Sequence, residues 1–220
     1  MPRRLHASLH VLRGRLRTEG LGGALRHIIR RSGAQFYERE RHFVVCKDLD
    51  EIAVPARRES LVIKALDRSH LPALRELNRE RDNLTGDARF AGDLQDGYGA
   101  IGAFQDGALV GFYWWADATM PPHRELSEVA RGIRLGAGDV YGTDFYVSPG
   151  RRAQGTAAEL LFLVETSFRD RGFERLWGTV ADDNWRARWL YGARGYRELW
   201  AVEGIRLLRR WHYRTAPISA

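Results

Sequence analysis

The sequence predicts an α/β domain, a mixed sheet flanked by helices, with a helical extension at its N-terminus. Three observations carry this. Over residues 61–212, short apolar runs of strand character alternate with segments whose apolar residues recur every three to four positions. The dipeptide Asp106-Gly107 joins two of those runs as a tight hairpin turn. The positive charge lies elsewhere: of 35 basic and 28 acidic residues, eight Arg and one Glu fall in residues 1–31, which leaves the rest neutral.

The first segment is helical by pattern. Leu5, Leu9, Leu12 and Leu16 form one helical stripe, and Thr18 is placed to cap a second helix carrying Leu21, Leu25, Ile28 and Ile29. An arginine-rich amphipathic helix suits a membrane surface, nucleic acid or a transit peptide. Docking on its own domain or on a partner subunit is preferred, and a homodimer stays open. Residues 1–60 are read as this basic arm, a strand around His42–Cys46 and a connector at Pro55; residues 61–220 are read as the main domain.

Leu61–Leu66 reads as a strand, and Ser69 is expected to cap a helix bearing Leu71, Leu74 and Leu77, with Pro72 tolerated in its first turn. A shorter helix covers 88–94. Strands 98–104 and 108–115 form the hairpin. Residues 117–137 are an insertion with a helix from Glu125 to Arg131. A strand over 139–147 leads into a helix over 156–171 that buries Leu160, Leu161, Val164 and Phe168. A strand at 175–180, a helix at 184–193 and one or two closing strands over 196–211 complete the order.

Composition excludes several classes. Cys46 is the only cysteine, which rules out a disulfide within the chain and a cysteine-rich metal site; no metal is expected. No run of 18 apolar residues or secretory h-region is present, so a cytoplasmic setting is expected. Nucleic acid is not expected as a partner of the main domain, because that domain has no basic excess.

The chemistry concentrates where strand 139–147 meets the following helix. The loop Arg152-Ala153-Gln154-Gly155-Thr156-Ala157 opens a helix whose first N–H groups and dipole favour an anion. Small residues at 155 and 157 let a pyrophosphate approach the amides. Downstream, Asn184 and Tyr191 precede Gly195-Tyr196.

These residues resemble the GNAT superfamily of N-acetyltransferases. Arg152, Gly155 and Ala157 match its cofactor loop, Asp144 to Pro149 resembles the strand before it, and Asn184, Tyr191, Gly195 and Tyr196 match its second pattern. The resemblance covers about 61–212 and implies a mixed, mostly antiparallel sheet. It implies acetyl-CoA as co-substrate, with Arg152, Gln154, Gly155, Thr156 and Ala157 at the pyrophosphate, Phe145 and Val147 pairing with pantetheine through their backbone, and Asn184 hydrogen-bonding the same arm. Tyr191 is the implied general acid for the thiolate leaving group. Asp144 matches an acidic position of polyamine acetyltransferases and is the candidate base or acceptor contact, with Asp139 and His123 as other candidates. The preceding position is Thr143, where those enzymes carry a second acid. The implied acceptor is a small-molecule or peptide amine. Transfer of a longer acyl group from acyl-CoA or an acyl carrier protein, and a non-catalytic CoA-binding module, are the alternatives. Trp114, Trp115, Met120 and the insertion border the acceptor side, with core packing the preferred role of the aromatics.

Overall fold

The computed structural model describes residues 37–55, 61–81, 86–120, 132–207 and 210–218. The arm helices, the expected helix 125–131 and His123 lie outside them.

Eight strands, β1 (Tyr37–Asp48), β2 (Val62–Ala65), β3 (Gly99–Gln105), β4 (Ala108–Asp117), β5 (Asp139–Val147), β6 (Arg175–Ala181), β7 (Arg197–Leu207) and β8 (Arg210–Ala216), form one sheet among the described residues. Their order is β2-β3-β4-β5-β6-β1-β7-β8. The pairs β2–β3, β3–β4, β4–β5 and β1–β6 are antiparallel, and β5–β6 is parallel. The expected mixed, mostly antiparallel sheet is therefore found. Four helices accompany it: α1 (Leu71–Glu80), α2 (Gly86–Gln95), α3 (Thr156–Asp170) and α4 (Trp185–Ala193). A parallel pair needs a crossover, and α3 provides it between β5 and β6.

The described residues fall into two compact units, residues 41–202 with 215–218, and residues 203–207 and 210–214 with 37–40. In the second unit Tyr213 Oη donates to Glu40 Oε1 at 2.9 Å, Trp211 stacks on Tyr213, and Arg214 pairs with Glu203.

The first unit holds two apolar cores, one on each face of the sheet. Side chains alternate faces along a strand. Thus Tyr113 and Trp115 of β4 join Leu160, Leu161, Val164 and Phe168 of α3 in one core. Phe112, Trp114 and Ala116 join Leu74 and Leu77 of α1 and Phe90 of α2 in the other. The four residues expected on the inner face of α3 are all fully buried. Trp114 stacks on Phe90 and Trp115 meets Phe168 edge-on, so both are core aromatics.

The structure changes or completes three details of the sequence reading. Ser69 does not cap α1. Asp67 caps a 3-10 turn, Arg68–His70, that precedes the helix, accepting from Ser69 N–H at 2.8 Å. A carboxylate two residues upstream outcompetes the hydroxyl, which itself donates to Asp67. Strand β1 belongs to the sheet, pairing His42–Asp48 with Arg175–Ala181 of β6. The closing segment is two strands and runs on to Ala216.

Candidate active site

The sheet opens where its one parallel pair ends. Strands β5 and β6 are in register only from Asp139–Arg175 to Tyr141–Trp177. Beyond that point β5 stays on β4 through Val147, and β6 stays on β1 through Ala181. The base of the split is fastened by Asp139, which is 1% exposed. It accepts from Arg175 Nε at 2.7 Å, Trp177 Nε1 at 3.0 Å and Gly136 N–H at 2.7 Å. Asp139 is a structural acceptor at the closed end of the split.

A cleft of about 170 Å³ fills the split, lined by residues that include Thr143, Asp144 and Phe145 of β5, Thr179 and Val180 of β6, and Asn184, Ala187 and Tyr191. Asn184, Ala187 and Tyr191 stand at i, i+3 and i+7, one face of a helix. Asn184 is the N-cap of α4, its side chain accepting from Ala187 N–H at 3.3 Å. Tyr191 is 9% exposed and meets the Tyr196 ring edge-on at 4.8 Å.

On β5 a bulge adjusts this wall. Trp114 pairs with Asp144 and Trp115 with Gly142, which leaves Thr143 as the extra residue. A Cβ on Gly142 would sit 2.0 Å from the Tyr113 hydroxyl, so glycine there lets the phenol pack against the strand. Toward the end of β5, Ser148 N–H donates to Val110 O at 2.9 Å, and a Cβ on Gly111 would lie 2.8 Å from Tyr146 O. Tyr146 and Ser148 thus turn toward β4, and by alternation Phe145 and Val147 turn their amide groups away from it. Val147 O accepts from Arg152 Nε at 2.9 Å.

After β5 the chain makes a 3-10 turn, Pro149–Gln154, in place of an immediate helix start. Gly155 then serves as N-cap of α3 at φ 88, a left-handed conformation that disfavours any residue with a Cβ. No side chain caps this helix, which leaves its first N–H groups open to an anion. The Thr156 hydroxyl beside them is buried and has no partner among the described residues. The guanidinium of Arg152 lies 5.2 Å from the Tyr146 ring centre.

Asp144 is held from the other side. Arg81 Nη1 donates to its Oδ1 and Oδ2 at 3.0 and 2.8 Å, and Arg89 Nη2 to its Oδ2 at 2.8 Å. Its side chain is 7% exposed. The sequence reading missed both arginines, because they lie 63 and 55 positions from Asp144 and carry no motif. It also missed Ala187, which its spacing from Asn184 and Tyr191 would have revealed.

Residues 63–196 match the acetyltransferase (GNAT) family. The chain belongs to the GNAT family. GNAT proteins use acyl-CoA. No curated protein matches the chain. Its fold is similar to that of a Drosophila protein at 14% identity and TM-score 0.54, covering 86% of this chain and 58% of that one. It is also similar to a functionally unknown conserved protein from Staphylococcus epidermidis at 13% identity and TM-score 0.58, covering 82% and 65%. A third, an aminoglycoside N-acetyltransferase solved with CoA, shares 19% identity at TM-score 0.50, covering 66% and 93%. The chain thus spans less than two thirds of the length of the first two. No helix among the described residues is long and apolar enough to cross a membrane. Among those residues no group of three or more His, Cys, Asp or Glu is placed to hold a metal.

Burial raises the pKa of Tyr113, Tyr191 and Tyr196 above the ordinary phenol value; for Tyr191 the charges of Asp144 and Glu165 add to it. Burial also pushes the Cys46 thiol up to about 11. In the folded chain these groups keep protons that the unfolded chain loses, the phenols above about pH 10. Stability from them is complete below the unfolded values and is lost as pH rises through the folded ones. Lys47, whose ammonium burial pushes down, opposes this as a single group. The urea midpoint is therefore expected to fall between pH 9 and pH 11; a flat or rising midpoint would contradict it.

Proposed function

We propose that this chain is an N-acetyltransferase that moves an acetyl group from acetyl-CoA to an amine by direct attack. The observation that carries the reading is the cleft at the end of the β5–β6 pair, with a buried phenol on one wall and an uncapped helix start after β5. The residues suit the co-substrate. The open N–H groups at Gly155, Thr156 and Ala157 answer a pyrophosphate, with Arg152 and Gln154 in the turn before them and the unpartnered Thr156 hydroxyl beside them. The backbone of Phe145 and Val147 is available to amide groups of the pantetheine arm, and Asn184 retains its amide NH2 for the same arm while its oxygen caps α4.

In the reaction the acceptor nitrogen, as the free amine, forms a bond to the acetyl carbon while the carbon–sulfur bond breaks. The thiolate takes the proton of Tyr191, and the proton shed by the new amide nitrogen restores the phenol. The raised pKa keeps Tyr191 protonated at neutral pH, the form an acid needs. Asp144 acts on the acceptor side by holding Arg81 in this proposal, since guanidinium N–H groups already occupy both its oxygens. The acceptor is a small-molecule or peptide amine.

Calorimetry with acetyl-CoA, followed by thiol release across an amine panel, tests the reading. Binding with acceptor-dependent thiol release is expected. Failure to bind any acyl-CoA would sink it, and binding without turnover would favour a non-catalytic module.

A further inference from the structure

We infer that the acceptor amine also carries a carboxylate, and that Arg81 receives this carboxylate in the cleft. The inference rests on the acetyl-transfer reading of the cleft. Arg81 comes from the C-cap of α1 and Arg89 from α2, so two elements outside β5 deliver two cations to one carboxylate. Arg89 has a second anion, its Nε meeting Asp93 Oδ2 at 3.2 Å. Burial pushes the Asp93 carboxyl up, against its charged form.

Arg81 has only Asp144 as an ion-pair partner among the described residues, and it commits Nη1 alone. Its side chain is 32% exposed and lines the cleft with Thr143, Asp144 and Tyr191. A guanidinium has five N–H donors in a planar fork that matches a carboxylate edge. The nitrogens Nε and Nη2 of Arg81 therefore remain as donors for a second carboxylate.

A polyamine meets the opposite situation. The oxygens of Asp144 are already engaged, the neighbouring Thr143 adds no charge, and the Arg81 guanidinium on the cleft wall meets a polycation with like charge.

The test uses the full chain with acetyl-CoA. Thiol release is measured with L-glutamate, with glutamate amidated at both carboxyls, with an amidated Glu-Gly-Gly peptide, and with spermidine. The carboxylate-bearing amines are expected to exceed fully amidated glutamate by about tenfold or more in kcat/KM, the scale of one charge-assisted contact. The ranking of free glutamate against the peptide separates a free amino acid from a chain end. In Arg81→Gln the ratio of glutamate to its diamide should collapse toward one, chiefly through KM. Arg81→Lys, which keeps the charge and loses the fork, should retain part of it.

Equal or faster turnover of the diamide or of spermidine overturns the inference. So does a ratio that survives in Arg81→Gln, or acetylation of the diamide or spermidine with no carboxylate amine acetylated; those results leave the acetyl-transfer reading standing. Absence of acetyl-CoA binding removes both.

Discussion

Tyr191→Phe is expected to lower kcat by about 10²–10⁴ while acetyl-CoA affinity changes little. The substitution removes one oxygen and keeps the ring, so the edge-on contact with Tyr196 at 4.8 Å and the place of the residue in the core are preserved. Stability is expected to hold, which separates loss of an acid from loss of fold. The pKa of Tyr191 is raised, first by burial and then by the Asp144 and Glu165 charges. The phenol is accordingly protonated across the neutral range, and the deficit should be nearly constant between pH 6 and pH 9. Rate measurements with saturating acetyl-CoA check this. A loss smaller than about tenfold would remove Tyr191 from the acid role and point to water at the leaving thiolate.

Glu165→Ala should cost about 3–5 kcal/mol of stability, the largest effect expected outside the apolar cores. Glu165 on α3 is fully buried and pairs with Lys47 of β1 at 2.8 Å and with Arg194 just past α4. Removing it leaves two cations, 4% and 5% exposed, without their carboxylate. Burial already pushes the Lys47 ammonium down although Glu165 lies beside it. Arg194 also donates to Ala53 O, so the cluster ties α3, β1 and the end of α4 to the chain after β1. Because Arg194 follows Tyr191 by three residues, the variant should also loosen the cleft wall. Urea denaturation measures the first effect, and a loss below about 1 kcal/mol would show that the cations find other partners or that Lys47 loses its proton.

The two predictions draw on information of different kinds. Tyr191 was singled out in the sequence by the resemblance of Asn184, Tyr191, Gly195 and Tyr196 to a GNAT pattern, and the helix, a local structure, puts Asn184 and Tyr191 on one wall of the cleft. Loop 152–157 was legible for the same reason, as small residues between a strand and an amphipathic helix. Even there the sequence missed the 3-10 turn and the left-handed Gly155, since several backbone routes accommodate one glycine. It also placed the α1 cap at Ser69, because a hydroxyl before a helix and a carboxylate two residues earlier look equivalent until the turn is formed.

What the sequence determined by itself was the alternation of elements, the buried face of α3, and the residues that mark a GNAT chain, because each depends on neighbours within a few positions. What only the tertiary structure decided was the state of the charges. Lys47, Glu165 and Arg194 carry no motif, yet folding buries them together, across 118 positions in the case of Lys47 and Glu165. Asp144 read as a candidate base or acceptor contact, yet Arg81 at the end of α1 and Arg89 of α2 close on it. A carboxylate acts according to the charges within a few ångströms, and chain distance carries no record of those.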